Sequence, residues 1–340
     1  MTHPLRLAVA GIGNNISALL QGIFHYRQLI QQEGSTTELP GLRNTILEGF
    51  SVADVEIVAA FDVDPNKIGL DVADAVFVLP NNYPRIGVEL TRNGVIVAEG
   101  LRKDETGAVI GHERVIEVMK QAEAEVLLYS LPTGLQWALD GYVECALAAG
   151  SGLVNCTPET AARNPETLKA FTARGLALVG DDLASQFGAS VVHRALLGIL
   201  MDRGLDLVSS YQINIGGNED FRNLREHGAS KLRSKINALN LPNGALDRVE
   251  VIPSGGYLAQ LHDNKISMMN IEGRGWGGTS LTIDLRLKVQ DSSNAAGVII
   301  DLVRFAAAAV RQRRGGFVDG ARPLLKSPPA LEAAVAGERR

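Results

Sequence analysis

Lys231 and Lys235 lie four residues apart in Ser230-Lys231-Leu232-Arg233-Ser234-Lys235, the spacing that places two side chains on one helical face. Two ammonium groups held there repel by roughly a few tenths of a kcal/mol, so spacing alone favours a solvated surface pair. Their surroundings point further. Asn218-Glu219-Asp220-Phe221 stands just upstream behind Gly216-Gly217, Lys265 follows in His262-Asp263-Asn264-Lys265, and Lys326 occurs in Leu325-Lys326-Ser327-Pro328-Pro329. Four lysines able to converge suit a phosphorylated substrate and an oxyanion that develops during reaction. The carboxylates with comparable placement are Asp181 and Asp182, after a strand, and Asp291, before the last long helix. Each also fits a helix cap, the commoner role of such residues.

A second chemistry is written at the start of the chain. Gly11-Ile12-Gly13-Asn14-Asn15-Ile16-Ser17 lies between a strand and a helix, where glycines let backbone N–H groups approach a pyrophosphate at the helix's positive end. Ile16 replaces the third glycine of the usual fingerprint, so the motif also fits a structural turn. Asp62 closes the next long strand, where a carboxylate can bind both ribose hydroxyls and repel the extra phosphate of NADP. NAD is favoured over NADP on that ground. Asp62 lies beyond the roughly 20-residue spacing of the fingerprint, which requires residues 28–50 to be an insertion; a solvated turn aspartate is the alternative.

Other chemistries find no support. None of the six histidines stands in a zinc-ligand spacing, and no Gly-x-Ser-x-Gly elbow or cysteine nucleophile setting occurs. His193 reads as a hydrogen-bonded core residue, and Cys145 and Cys156 as buried small hydrophobes. A metal role is left unknown, with a divalent or monovalent cation possible. A net charge of −5 offers no basic field for nucleic acid. No apolar stretch reaches the length of about 18 residues that a membrane span needs, and no signal-peptide pattern opens the chain. Cytoplasmic is the default expectation.

The elements that must position these residues follow an α/β pattern. Strands are expected at Leu5–Ala10, Val55–Val63, Val126–Ser130, Gly152–Asn155 and Leu176–Gly180, each ending in a polar turn. Open α/β sheets bind ligands at such carboxyl ends. Helices are expected at Asn14–Phe24, Arg114–Ala122, Leu135–Ala149 and Ala296–Arg311, and a short helix and strand within residues 66–80. Residues 81–112, rich in Gly and Pro, read as a surface excursion. After His193 the texture changes, with alternating strands at Leu207–Ile215 and Ser280–Val289 flanking the basic section. The expected organisation is a Rossmann-like NAD-binding domain over 1–195, a catalytic and oligomerising α+β domain over 196–290, and a C-terminal segment, 291–340, returning to the first.

These same segments resemble the myo-inositol-1-phosphate synthase family from Gly11 to Pro329, nearly the whole chain. The ordered motifs are Gly11-x-Gly13-Asn14-Asn15, Phe61-Asp62-Val63-Asp64, Leu131-Pro132-Thr133-Gly134, Asn155-Cys156-Thr157-Pro158-Glu159 and Gly180-Asp181-Asp182. They continue through Ser210-Tyr211-Gln212-x-Asn214, Gly216-Gly217-Asn218-x-Asp220-Phe221, Ser230-Lys231-x-x-Ser234-Lys235, Asp291-Ser292-x-Asn294 and Lys326-Ser327-Pro328-Pro329. The resemblance implies a redox-neutral isomerisation of glucose 6-phosphate to 1D-myo-inositol 3-phosphate: oxidation at carbon 5 by NAD, enolisation at carbon 6, intramolecular aldol closure onto carbon 1, and reduction of the ring ketone. By position, Lys231 would be the acid/base at the carbon 5 oxygen, Lys235 and Lys265 would hold phosphate and enolate, and Lys326 the carbon 1 oxygen. Asp182 and Asp291 would orient lysines or relay protons. Ser130, Thr133, Thr157 and Asp181 would join Gly11, Gly13, Asn14, Asn15 and Asp62 at the cofactor; Ser185, Gln186, Asn218 and Asp220 would face substrate. The family also implies a homotetramer.

Three positions depart from the family's pattern: Ala184, where lysine is usual; Arg233, where an aliphatic residue is common; and Trp276, where phenylalanine is usual. They keep open a related cyclase acting on another sugar phosphate, such as fructose 6-phosphate giving a five-membered carbocycle. A simple sugar-phosphate dehydrogenase, which would accumulate NADH, and a non-catalytic NAD-binding regulator are further rivals. The retained lysines argue against the regulator, which has no use for an oxyanion cluster.

Overall fold

The computed structural model describes residues 3–34, 38–241 and 244–330, except the side chains of 225–230. Short apolar runs form the strands β1 (Leu5–Ala10), β2 (Val55–Asp62), β3 (Val97–Glu99), β4 (Val126–Tyr129), β5 (Gly152–Asn155) and β6 (Ala177–Val179). With a late strand, Gly316–Phe317, beside β6, they make a parallel sheet ordered Gly316–Phe317, β6, β5, β4, β1, β2, β3. Successive side chains of a strand point to opposite faces, so β1 feeds two cores: Leu7 and Val9 pack into one, Ala8 and Ala10 into the other. Helices on both faces are the arrangement that buries such strands.

The helix α1 (Asn14–Glu33) covers one face with α7 (Asp291–Arg311). It runs nine residues past the expected end at Phe24, because Tyr26, Leu29 and Ile30 keep the helical spacing and pack against the same core. The opposite face carries α2 (His112–Gln121), α3 (Gln136–Ala149) and α4 (Pro165–Ala173). Within 66–80 the only regular element among the described residues is the short helix Val72–Ala75, and the expected strand is absent; the sheet edge is supplied by β3, from the presumed excursion.

By length and composition α7 is long and apolar enough to cross a membrane, contrary to the expectation from its apolar stretch, because the helix starts at Asp291 and not at Ala296. Its apolar sides are occupied by α1 and by β4, β5 and β6, so it is a core helix of the sheet.

The second unit is a four-stranded sheet made of β7 (Asp206–Gly216), β8 (Val249–Tyr257), β9 (Asn264–Arg274) and β10 (Ser280–Gln290), ordered β8-β7-β9-β10. Two further helices, α5 (Ala189–Asp202) and α6 (Glu219–Leu239), pack against it. The boundary placed at 195 therefore falls inside α5, which belongs with the second sheet. Asn218 caps α6 by accepting from the backbone N–H of Phe221, and Glu219 and Asp220 occupy its first turn, both favourable to the helix dipole.

Candidate active site

A single cavity of about 410 Å³ runs from the Gly11 turn to the four lysines. At its first end Gly11 adopts φ +90°, and a Cβ there would lie 2.7 Å from the carbonyl oxygen of Ser130. Only glycine fits that turn. Gly13 precedes α1 with no side-chain cap and no acidic residue in the first turn, and a Cβ on it would meet nothing within 4 Å. The positive end of α1 is thus open to an anion. Asp62 is fixed by backbone donors: its Oδ2 accepts from Ile12 N at 2.8 Å, and its Oδ1 from Val63 N at 2.8 Å and Asp64 N at 3.0 Å. Asn15 Nδ2 donates to Ser130 Oγ at 3.2 Å. An open helix terminus, a glycine turn and a carboxylate at the end of the second long strand fit a dinucleotide.

The other end is a chamber of lysines and carboxylates. Asp182, at the carboxyl end of β6, is nearly fully buried. Its Oδ1 accepts from Lys326 Nζ at 3.0 Å and lies 3.9 Å from Lys231 Nζ, while Ser234 Oγ donates to its Oδ2. Lys231 also stands 3.9 Å from Asp220 Oδ2, and Lys265 Nζ donates to Asp291 Oδ1 at 3.1 Å. Among the described residues Lys235, 3% exposed, makes no ion pair.

The charges respond accordingly. Burial opposes the ionised form of Asp182, but Lys231 and Lys326 outweigh it and hold the carboxyl below its ordinary range. Asp291 is held down in the same way, burial being outweighed by Lys265. Burial alone would lower Lys231, yet Asp182, Asp220 and Asp291 together raise it. Lys326 is pushed down to about 8 by burial and by its lysine neighbours, Asp182 opposing. Lys235 is driven well below its usual value by burial and by the ammonium groups of Lys265, Lys326 and Lys231. Cys156 lines the cavity, but burial raises its thiol pKa, so it is no thiolate nucleophile.

Of the residues singled out in the sequence, Gly11, Gly13, Asn14, Asn15, Asp62, Ser130, Thr133 and Thr157 line the first end. Asp182, Ser185, Asn218, Asp220, Lys231, Lys235, Lys265, Asp291 and Lys326 line the second. Two are elsewhere. The carboxylate of Asp181 accepts from Asn155 Nδ2, from the backbone of Ala161, Ala162 and Arg163, and from Arg163 Nε. With its acceptors committed to that loop, it does not reach the cofactor cleft. Gln186 donates to Gly41 O at 2.6 Å and borders a separate cavity between α1 and α7.

Sequence reasoning missed Lys67 and Asn81, which both line the cleft, and gave Ser234 and Ser292 only as motif positions, without the carboxylates they hold. Asp263 was quoted without a role, yet its Oδ1 accepts from Asn14 Nδ2 at 3.0 Å and from Ser292 Oγ at 2.5 Å, joining the two ends of the cavity. Burial pushes its carboxyl up to about 6. No pattern in one sequence reveals the roles of these residues, because their partners lie far away along the chain. Among the described residues no group of three or more His, Cys, Asp or Glu is placed to hold a metal ion.

A parallel sheet with a dinucleotide cleft opening onto a lysine–carboxylate chamber defines a Rossmann-type enzyme of sugar-phosphate chemistry. The chain is 38% identical to inositol-3-phosphate synthase of Mycolicibacterium smegmatis, covering 96% of this chain and 93% of that one. It is 37% identical to the synthase of Corynebacterium glutamicum over 99% of its length. The chain belongs to the myo-inositol-1-phosphate synthase family, whose sequence model matches residues 188–292, the second sheet and its helices. Among solved structures, Ari2 is 53% identical with a TM-score of 0.87, covering 98% of this chain and 95% of that one. A myo-inositol-1-phosphate synthase-related protein of Thermotoga maritima, 21% identical with a TM-score of 0.75, shares the fold over 97% of this chain and 94% of that one.

Proposed function

We propose that the protein cyclises glucose 6-phosphate to 1D-myo-inositol 3-phosphate, with NAD bound in the cleft and regenerated in each turnover. The observation that carries this reading is the buried chamber in which Lys231, Lys235, Lys265 and Lys326 meet Asp182, Asp220 and Asp291 at the mouth of that cleft. NAD, when bound, supplies a hydride acceptor for the alcohol and returns the hydride to the ring ketone. The remaining chemistry falls to side chains. An aldol closure needs cations beside two oxygens, and a phosphate needs an anchor. Lys265 and Lys326, each in contact with a carboxylate, are positioned cations for those oxygens.

A proton acceptor must be uncharged at working pH. Lys231, expected in that role from the family resemblance, has its proton held firmly by Asp182 and Asp220. Lys235, without a carboxylate of its own and surrounded by ammonium groups, suits the base better, and substrate phosphate would supply the missing anion when the lysine is protonated.

A second substrate is favoured by one observation. Of the three departures from the family's pattern, Ala184 alone lines the chamber. Arg233 is exposed and borders a separate recess with Arg163, and Trp276 is 96% exposed. A chamber lacking the usual lysine charge at 184 suits a different arrangement of hydroxyls, such as fructose 6-phosphate closing to a five-membered carbocycle. Incubating the protein and NAD separately with glucose 6-phosphate and fructose 6-phosphate, with products identified by phosphorus and carbon NMR, decides between them. Stoichiometric NADH in place of a carbocycle would overturn both.

A cytoplasmic homotetramer completes the proposal. Ile213, Ile252 and Met268 stand in register across β8, β7 and β9, with Ile252 and Met268 each 36% exposed. Such an apolar row on the sheet face gains by covering from a second copy, and sedimentation equilibrium at four times the chain mass is the expected result.

A further inference from the structure

We infer that Lys67, together with Asp62, fixes the choice between NAD and NADP: the cleft already holds a cation for a 2′-phosphate, and Asp62 is what withholds it. This rests on the reading that the cleft binds a nicotinamide dinucleotide. Lys67 is 5% exposed. Its Nζ donates to Ile12 O at 2.9 Å and to Asn81 Oδ1 at 3.2 Å, and lies 3.7 Å from Asp62 Oδ2. An ammonium has three donors and no acceptor. Two are committed to the glycine turn and to Asn81, which leaves the third for Asp62.

Asp62 and Lys67 both line the cavity wall, at the strand end where the ribose hydroxyls of a dinucleotide bind. As a pair they leave this wall neutral, and the carboxylate both accepts from hydroxyls and opposes a phosphate. Removing the carboxylate leaves a buried ammonium with an uncompensated charge, a costly state that an incoming phosphate relieves. An acidic ribose site ordinarily needs a new basic residue before it accepts NADP. Here the cation is built in and anchored by two other bonds. Asp64 also borders the cleft, but its Oδ1 accepts from Asn66 N at 2.9 Å and Asn66 Nδ2 at 3.0 Å, so it is engaged locally.

The test is calorimetric titration of NAD⁺ and NADP⁺ into the full-length protein, Asp62→Ser, Asp62→Asn and the double variant Asp62→Ser/Lys67→Met, with melting temperatures recorded. The unaltered protein should prefer NAD⁺. Asp62→Ser should bind NADP⁺ about 10- to 100-fold more tightly than the unaltered protein does, the range of one charge-assisted contact. Adding Lys67→Met should erase that gain, with the melting temperature showing that the double variant is folded. Asp62→Asn, which keeps an acceptor for Ile12 N, guards against a collapsed turn in the serine variant. A gain absent from both single variants, or one that survives Lys67→Met, overturns the inference. If the unaltered protein binds neither dinucleotide, the cofactor reading falls and this inference with it.

Discussion

Lys326 Nζ donates to Asp182 Oδ1 at 3.0 Å across a separation of 144 residues. The backbone repeats the link, Lys326 N donating to Asp182 O and Ser327 N to Asp181 O. The C-terminal segment is thereby laid beside the end of β6, and a lysine from the end of the chain enters a chamber built mostly by its middle. Asp182 also faces Lys231, so it holds two cations at once. Asp182→Asn should lower turnover by about 100-fold or more, as loss of proton handling and cation placement does, and should destabilise the fold by about 3 kcal/mol because buried charges lose their partner. Steady-state kinetics and chemical denaturation measure the two effects, and turnover within a factor of two of the unaltered protein would refute the role.

Lys326 should impose an alkaline limb on kcat/KM. Its pKa lies near 8 in the free protein, and an amine that must be a cation to stabilise an oxyanion loses that ability as pH rises through this value. Asp182 is the neighbour that raises it, so Asp182→Asn should move whatever limb remains to lower pH. Lys326→Ala should abolish turnover while NAD⁺ binding persists, which calorimetry checks.

At the cofactor turn, Gly11→Ala combines a left-handed backbone with a Cβ 2.7 Å from Ser130 O. The conformation alone costs about 1–2 kcal/mol for a non-glycine residue, and moving Ser130 disturbs its bond with Asn15. The expected outcome is a lower melting temperature with NAD⁺ affinity reduced at least about tenfold, since one such contact is worth about 1.4 kcal/mol. Full affinity in a stable variant would show that the turn does not carry the cofactor.

His193 is fully buried between Ser210 Oγ at 2.7 Å and Gln212 Oε1 at 3.3 Å. Burial lowers its pKa to about 4 from 6.5. Between those values the unfolded chain takes up a proton that the folded chain refuses, so stability falls as pH drops from 6.5 towards 4, by up to about 3 kcal/mol. Asp263, raised to about 6, acts with the opposite sign over part of that range. Comparing His193→Gln with the unaltered protein isolates the histidine: the variant should lose less stability on acidification, and equal losses would refute the assignment.

The sequence alone determined five strands of the parallel sheet, because a strand buried on both faces must be an apolar run such as Leu5–Ala10 or Val126–Tyr129, but not the short edge strands Val97–Glu99 and Gly316–Phe317. It also marked the Gly11 turn, by its place between a strand and a helix, and the four lysines, by the motifs around them. It misjudged α1, whose second half stays helical by packing Tyr26, Leu29 and Ile30 against the core, and it read the polar 218–235 stretch as a basic section where the fold makes one helix. Only the tertiary structure could set neighbouring residues apart. Asp181 and Asp182 are adjacent, yet the first is consumed by the Asn155–Arg163 loop and the second faces the lysines. The same holds for Lys67, which joins Asp62 and Ile12 at the cofactor end, and for Lys235, whose base-like character comes from having three ammonium groups near it and no carboxylate of its own. Charge state depends on distance and burial, and neither is a property of residue type or of spacing along the chain.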